Sequence, residues 1–205
     1  MKKLINGIME FRRTKREGLR GLYAQLALGQ SPDCLFITCS DSRVVANIFA
    51  STDPGDLFVV RNLGNIMPPS PDVGSAVAAL EYALETLEVG NIVVCGHSDC
   101  GAMRALAQNP QAEGSTPMAA WLRHAKAAVQ AVPGDQDQLS RRNVVLQLEN
   151  LRSHGVVRER EEAGKLKLHG LWFNIRDVEV YYLEKGPSEF TLIDDAEGRK
   201  ILQSL

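Results

Sequence analysis

Two short apolar runs, each broken off by a cluster of small polar and metal-binding residues, constrain this chain more than any other feature. Cys34-Leu35-Phe36-Ile37-Thr38 gives way to Cys39-Ser40-Asp41-Ser42-Arg43, and Asn91-Ile92-Val93-Val94-Cys95 gives way to Gly96-His97-Ser98-Asp99-Cys100-Gly101. Runs this short and this apolar suit strands buried on both faces. A third run, Asp56-Leu57-Phe58-Val59-Val60, follows the turn Asp53-Pro54-Gly55. After a loop carrying Pro68, Pro69 and Pro71, a helix is predicted over about 73–88, with Val77, Leu80, Leu84 and Leu87 on one face. Further helices are predicted over 3–28 (one or two), from near Asp99 after a turn at Gly96, and over about 117–131 and 137–163. The runs 168–175 and 178–183 predict a hairpin across Arg176-Asp177. Strands separated by helices imply an α/β fold: a mainly parallel central β-sheet flanked by helices, with an N-terminal helical arm (1–28) and a C-terminal β-hairpin. No repeat or long linker divides the 205 residues, so 1–205 reads as a single domain.

A net charge of −2 offers no global attraction to nucleic acid or an anionic membrane, and neither partner is expected. Seven basic side chains crowd the first twenty residues, but Leu4, Ile8 and Phe11 recur there at helical spacing. The arm therefore reads as an amphipathic helix, docked by its apolar stripe with its basic face in water. The longest uncharged stretch, Gly21 to Pro32, has 12 residues, whereas a membrane span needs about 18. Glu10, Arg12 and Arg13 interrupt anything resembling a secretory signal, so a cytoplasmic location is expected. In that reducing compartment Cys34, Cys39, Cys95 and Cys100 are thiols or metal ligands rather than disulfides.

In sheets of this kind ligands gather at the carboxyl ends of strands, which is where Cys39 and His97 fall. His97 and Cys100 are three apart and can point the same way from a helix's first turn, where a thiolate is favoured. Cys39 adds a third ligand from the neighbouring strand end. Two cysteines and one histidine form an open zinc site with one position left for water or substrate. A closed four-cysteine site fits poorly. Cys34 and Cys39 face opposite sides of one strand, roughly 16 Å apart, and Cys95 lies inside an apolar run.

The string Cys-Ser-Asp-Ser-Arg at 39–43, with His97-x-x-Cys100 inside Gly-His-Ser-Asp-Cys-Gly-Ala-Met, resembles the β-class carbonic anhydrases. The similarity continues through Gly29-Gln30-Ser31-Pro32, through residues 54–62 and through Ala79-Leu80-Glu81-Tyr82-Ala83, spanning roughly residues 5–185. The resemblance makes Cys39, His97 and Cys100 the ligands of Zn2+. It makes Asp41 and Arg43 the catalytic pair, in which the aspartate either swings onto zinc as a fourth ligand and closes the site or is held off by the arginine. Gln30 matches the plant-like, open-site branch, similar to the bacterial cyanate-operon type; the other branch has Trp where this chain has Phe36. Gln30, Phe58, Leu63, Tyr82 and Gly101 are the implied substrate pocket, with Phe58, Leu63 and Tyr82 reaching the metal across a dimer interface, and Leu63 is larger than that branch often carries. The implied reaction is reversible hydration of carbon dioxide to bicarbonate and a proton by zinc-bound hydroxide, in a homodimer or higher even oligomer. Two alternatives stay open: a carbon disulfide or carbonyl sulfide hydrolase on the same scaffold, and a non-catalytic zinc-stabilised binding protein. No motif surrounds His124, His154 or His169, and none is assigned as a proton shuttle.

Overall fold

A computed structural model describes residues 1–129, 135–184 and 189–204. The chain divides into two compact units, Met1–Ser31 and Pro32–Leu205. The first consists of α1 (Lys2–Thr14) and α2 (Arg16–Leu26). The break falls at Lys15, just after Thr14, whose Oγ1 donates back to the Glu10 carbonyl at 2.8 Å. Glu10–Arg13 and Glu17–Arg20 pair one turn apart. No residue of either helix is buried, and the stripe of Leu4, Ile8 and Phe11 is exposed. Within this unit nothing supplies the docking that the stripe is expected to make.

The second unit is built on one six-stranded sheet. In chain order its elements are β1 (Cys34–Cys39), α3 (Ala46–Phe49), β2 (Leu57–Asn62), α4 (Ser75–Glu85), β3 (Asn91–His97) and α5 (Gly101–Gln108). There follow α6 (Pro117–Leu122), a 3₁₀ turn at Arg123–Ala125, α7 (Lys126–Val129), α8 (Gln136–Ser153), α9 (Gly155–Glu162), β4 (Lys167–Asn174), β5 (Glu179–Leu183), β6 (Phe190–Leu192) and α10 (Asp195–Ser204). The strand order is β2-β1-β3-β4-β5-β6; the first four run parallel and the last two pairings are antiparallel. All six residues of β1 are buried, as a central parallel strand requires. Alternation divides them. Leu35 and Ile37 join Ile92 and Val94 in a core shared with Leu80 and Leu84 of α4 and Val144, Leu148 and Leu151 of α8. Cys34 and Phe36 turn to the other face, with Cys95, Phe173 and Ala46. Among the described residues no helix is long and apolar enough to cross a membrane.

The architecture expected from the sequence is present, hairpin included, while several boundaries differ. The helix expected over 73–88 is shorter, and Glu88 behind it has a left-handed backbone (φ 52°). The 117–131 helix is three short pieces, and its last two residues lie outside the described ones. The 137–163 helix is broken at His154, whose backbone is extended and whose buried ring Nε2 lies 2.9 Å from the Pro68 carbonyl. That tertiary contact outweighs the helical pattern. Strand β6 and helix α10 follow a hairpin at which the sequence reading stops.

Candidate metal centre

Cys39 is the last residue of β1 and His97 the last of β3, so two adjacent parallel strands deliver them to the same end of the sheet. The expected helical juxtaposition of His97 and Cys100 is corrected by the structure. His97 is still strand, Asp99 turns the chain with a left-handed backbone (φ 53°), and Cys100 is the N-cap of α5. Gly96 is likewise not the turn. It lies in β3, where a Cβ would come within 2.7 Å of Val144 Cγ2 and 3.3 Å of the Ser140 carbonyl. Glycine there permits the close approach of strand and α8.

The result is a buried cluster. One ligand atom each of Cys39, His97 and Cys100 lies within 4.8 Å of the others. His97 Nδ1 is 2.8 Å from the Ser98 carbonyl, which only accepts, so the proton sits on Nδ1. That leaves Nε2 as a lone-pair donor, buried and without a partner. An orphaned imidazole nitrogen facing two buried sulfurs is the donor set zinc prefers, and three protein ligands are the number that leaves a coordination position free. The sulfurs are prepared unequally. A hydrogen bond from Cys100 outweighs the opposing effect of burial and, with the Gly64 amide at 3.4 Å, lowers the Cys39 thiol. Cys100 is pushed up, by donating to Cys39 and then by burial. A cation at the cluster would draw off the protons that the thiols retain.

Cys34 and Cys95 stand apart from the cluster. Burial raises Cys34 to about 11, helped by Asp33, and raises Cys95 to about 12 against an opposing Thr38 hydrogen bond. Both are neutral core thiols on the sheet's other face.

Asp41 and Arg43 form a forked pair: Nε donates to Oδ1 at 3.0 Å and an η nitrogen to Oδ2 at 2.8 Å. This hydrogen bonding holds the Asp41 carboxyl far below the usual carboxylate range. Asp41 is not in the three-residue cluster. Arg43 also reaches Asp99, at 3.0 Å to the carboxylate and 3.2 Å to the carbonyl. Asp99 in turn is held by Arg104 and, through its amide, by Asp137 at 2.9 Å. The guanidinium therefore ties the loop after Cys39 to the loop between His97 and Cys100. Arg61 secures the first of these loops by donating to the carbonyls of Cys39 and Asp41 at 3.1 and 2.6 Å.

The expected pocket residues are dispersed. Gly101 opens α5 beside Cys100, with open space where a Cβ would stand. Leu63 follows β2, partly exposed, its carbonyl accepting from Trp121 Nε1 at 2.7 Å. Phe58 and Tyr82 pack together at 5.8 Å, but Phe58 pairs with Leu35, four residues from the Cys39–Asn62 register. That is about 13 Å down the strand, so one chain does not bring them to its own cluster. Gln30 belongs to the N-terminal unit and is exposed there.

Asp99, Arg61 and three side chains of α8, Gln136, Ser140 and Asn143, went unassigned by the sequence reading. An acidic residue between two ligands, and polar residues at helical spacing on a core helix, were the available signals.

A family profile described as carbonic anhydrase matches residues 34–180. A carbonic anhydrase of Pseudomonas aeruginosa is 40% identical over 211 residues, covering 98% of this chain and 96% of its own. Carbonic anhydrase 1 of Escherichia coli O157:H7 is 39% identical over 199 residues, covering 93% and 91%. Among solved structures, the β-carbonic anhydrase CcaA superposes with a TM-score of 0.88 at 36% identity, over 97% of this chain and 96% of that one. A structure from a study of two tetrameric β-carbonic anhydrases of Sordaria macrospora gives 0.75 at 28% identity, over 91% and 98%.

Proposed function

The chain belongs to the β class of the carbonic anhydrase family, and on that premise we propose that Cys39, His97 and Cys100 hold a zinc ion at which it interconverts carbon dioxide and bicarbonate. The observation that carries this reading is the buried, unpartnered Nε2 of His97 beside two buried sulfurs. When bound, zinc supplies a water acidified enough to act as a nucleophile near neutral pH. The residues of the chain do the rest. The Asp41 carboxylate, kept ionised and turned toward Arg43, would accept a hydrogen bond from the attacking water and orient it. Arg43, fastened to both Asp41 and Asp99, keeps the carboxylate off the metal, which supports the open-site branch. Phe36, in place of tryptophan, supports it too.

We take 1–205 as one functional domain with residues 1–28 as its arm, acting as a homodimer or higher even oligomer in the cytoplasm. The exposed apolar stripe of the arm supports this assembly. The position of the Phe58–Tyr82 pair, far down the strand from its own chain's cluster, is consistent with a role at a second copy's pocket. A thiolate pair as ligand fits a reducing compartment.

Zinc content per chain, measured with carbon dioxide hydration and with carbonyl sulfide and carbon disulfide hydrolysis side by side, tests the reading. About one zinc per chain and turnover of carbon dioxide are expected. Turnover of the sulfur substrates alone would favour the hydrolase, and zinc without any turnover would favour a binding protein. Size-exclusion chromatography of a 1–28 deletion is expected to show monomers or aggregates of low activity; a fully active monomer would overturn the assembly.

A further inference from the structure

Two polar side chains of α8 bond the backbone of a ligand, and a third bonds the residue whose amide meets the remaining ligand. Gln136 Nε2 donates to the Cys100 carbonyl at 2.9 Å, and Ser140 Oγ donates to the His97 carbonyl at 2.7 Å. Asn143 Nδ2 donates to the Gly64 carbonyl at 2.8 Å, and the Gly64 amide donates to Cys39 Sγ at 3.4 Å. Positions 136, 140 and 143 follow the i, i+4, i+7 spacing of one helix face. Ser140 and Asn143 are buried, and their remaining polar atoms are engaged. Ser140 Oγ accepts from Trp172 Nε1 at 3.3 Å, and Asn143 Oδ1 accepts from Gln147 Nε2 at 2.8 Å. These second bonds fix the side chains' own orientation. The glycine at 96 lets the backbone of β3 lie directly against them.

We infer that Gln136, Ser140 and Asn143 are positioning residues that make α8 a common base for the metal centre, setting the mutual placement of its three ligands and so the rate at which zinc leaves. This rests on the zinc reading above. The ligands come from two strand ends and a helix cap; the β1–β3 pairing and the Arg43–Asp99 tie already join these segments, and α8 adds a separate set of bonds to them. The helix grips two of the ligands at their own carbonyls and the third through Gly64. Three donors held at coordinating distance before metal arrives re-form every broken metal bond before the ion escapes. Loosening one anchor lets its ligand drift while the other two stay in place.

The test uses the zinc-loaded full chain and the rate of zinc transfer to a chromogenic chelator. Ser140→Ala, Gln136→Met and Asn143→Leu, each close in shape, are expected to release zinc about tenfold faster. Cobalt-loaded samples are expected to show altered thiolate-to-metal absorption. Leu151→Ala, a cavity in the same helix far from the ligands, serves as a control: it lowers the urea stability of the metal-free chain yet keeps the wild-type release rate. Wild-type release from all three polar variants would overturn the inference, as would equal acceleration by Leu151→Ala. Failure of the wild-type chain to retain zinc at all would overturn the zinc reading beneath it.

Discussion

Two pairs of cysteines, five residues apart in each case, sit on or just beyond the same two strands and have opposite chemistry. Cys34 and Cys95 lie within β1 and β3, surrounded by Phe36, Phe173 and Val93, and burial leaves them neutral. Cys39 and Cys100 are equally buried, yet the Cys39 thiol is lowered by hydrogen bonds from a neighbouring thiol and a backbone amide. Burial alone therefore does not separate a structural cysteine from a ligand. What separates them is whether the groups around the sulfur can stabilise its charge, and those groups collect only where strands end and backbone amides are free.

The largest expected effect tests that division directly. Cys39→Ala, Cys100→Ala and His97→Ala should each lose zinc and activity almost completely, whereas Cys34→Ser should keep about one zinc per chain by elemental analysis. Zinc loss from Cys34→Ser as complete as from Cys39→Ala would erase the distinction. Next come the residues beside the ligands. Asp41→Ala and Arg43→Ala should retain zinc and lose about 10- to 100-fold in carbon dioxide turnover, the usual cost of removing a group that orients a metal site. Arg43→Ala is expected to add a carboxylate oxygen to the metal's coordination, visible by X-ray absorption.

A smaller effect concerns stability. Cys95→Ser places a hydroxyl in an apolar strand and should cost about 1–3 kcal/mol in urea unfolding with zinc content unchanged. The smallest concerns pH. The folded-state pKa of Asp41 is depressed, so the stability its ion pair contributes is present above the unfolded value of 3.8 and is lost only as pH falls through the folded value below it. Asp41 is then ionised throughout the neutral range. Activity should rise with pH as one titration, belonging to the metal's water and opposed by two thiolates. A steep, cooperative onset would show Asp41 leaving the metal instead.

The ligand set was legible because its signals are local. Cys39 and His97 each close an apolar run, and side-chain alternation sends Cys34 away from Cys39 within a single strand. The Asp41–Arg43 fork spans only two residues. The order of strands and helices followed from hydrophobic period in the same way. The course of the chain between His97 and Cys100 was misjudged, because the left-handed backbone at Asp99, a residue without glycine's freedom, leaves no compositional mark. The break of the long helix at His154 depends on a carbonyl 86 residues away at Pro68.

Local pattern and donor chemistry thus suffice for which residues can bind a metal and which strands carry them. How those residues are held is a property of the folded chain. Asn143 meets Gly64 across 79 residues, Ser140 meets His97 across 43, and Arg43 meets Asp99 across 56. Two of these anchors grip backbone carbonyls, which every residue has, so nothing in the sequence marks the partner. Only the packing of α8 against the sheet selects which carbonyl each side chain meets.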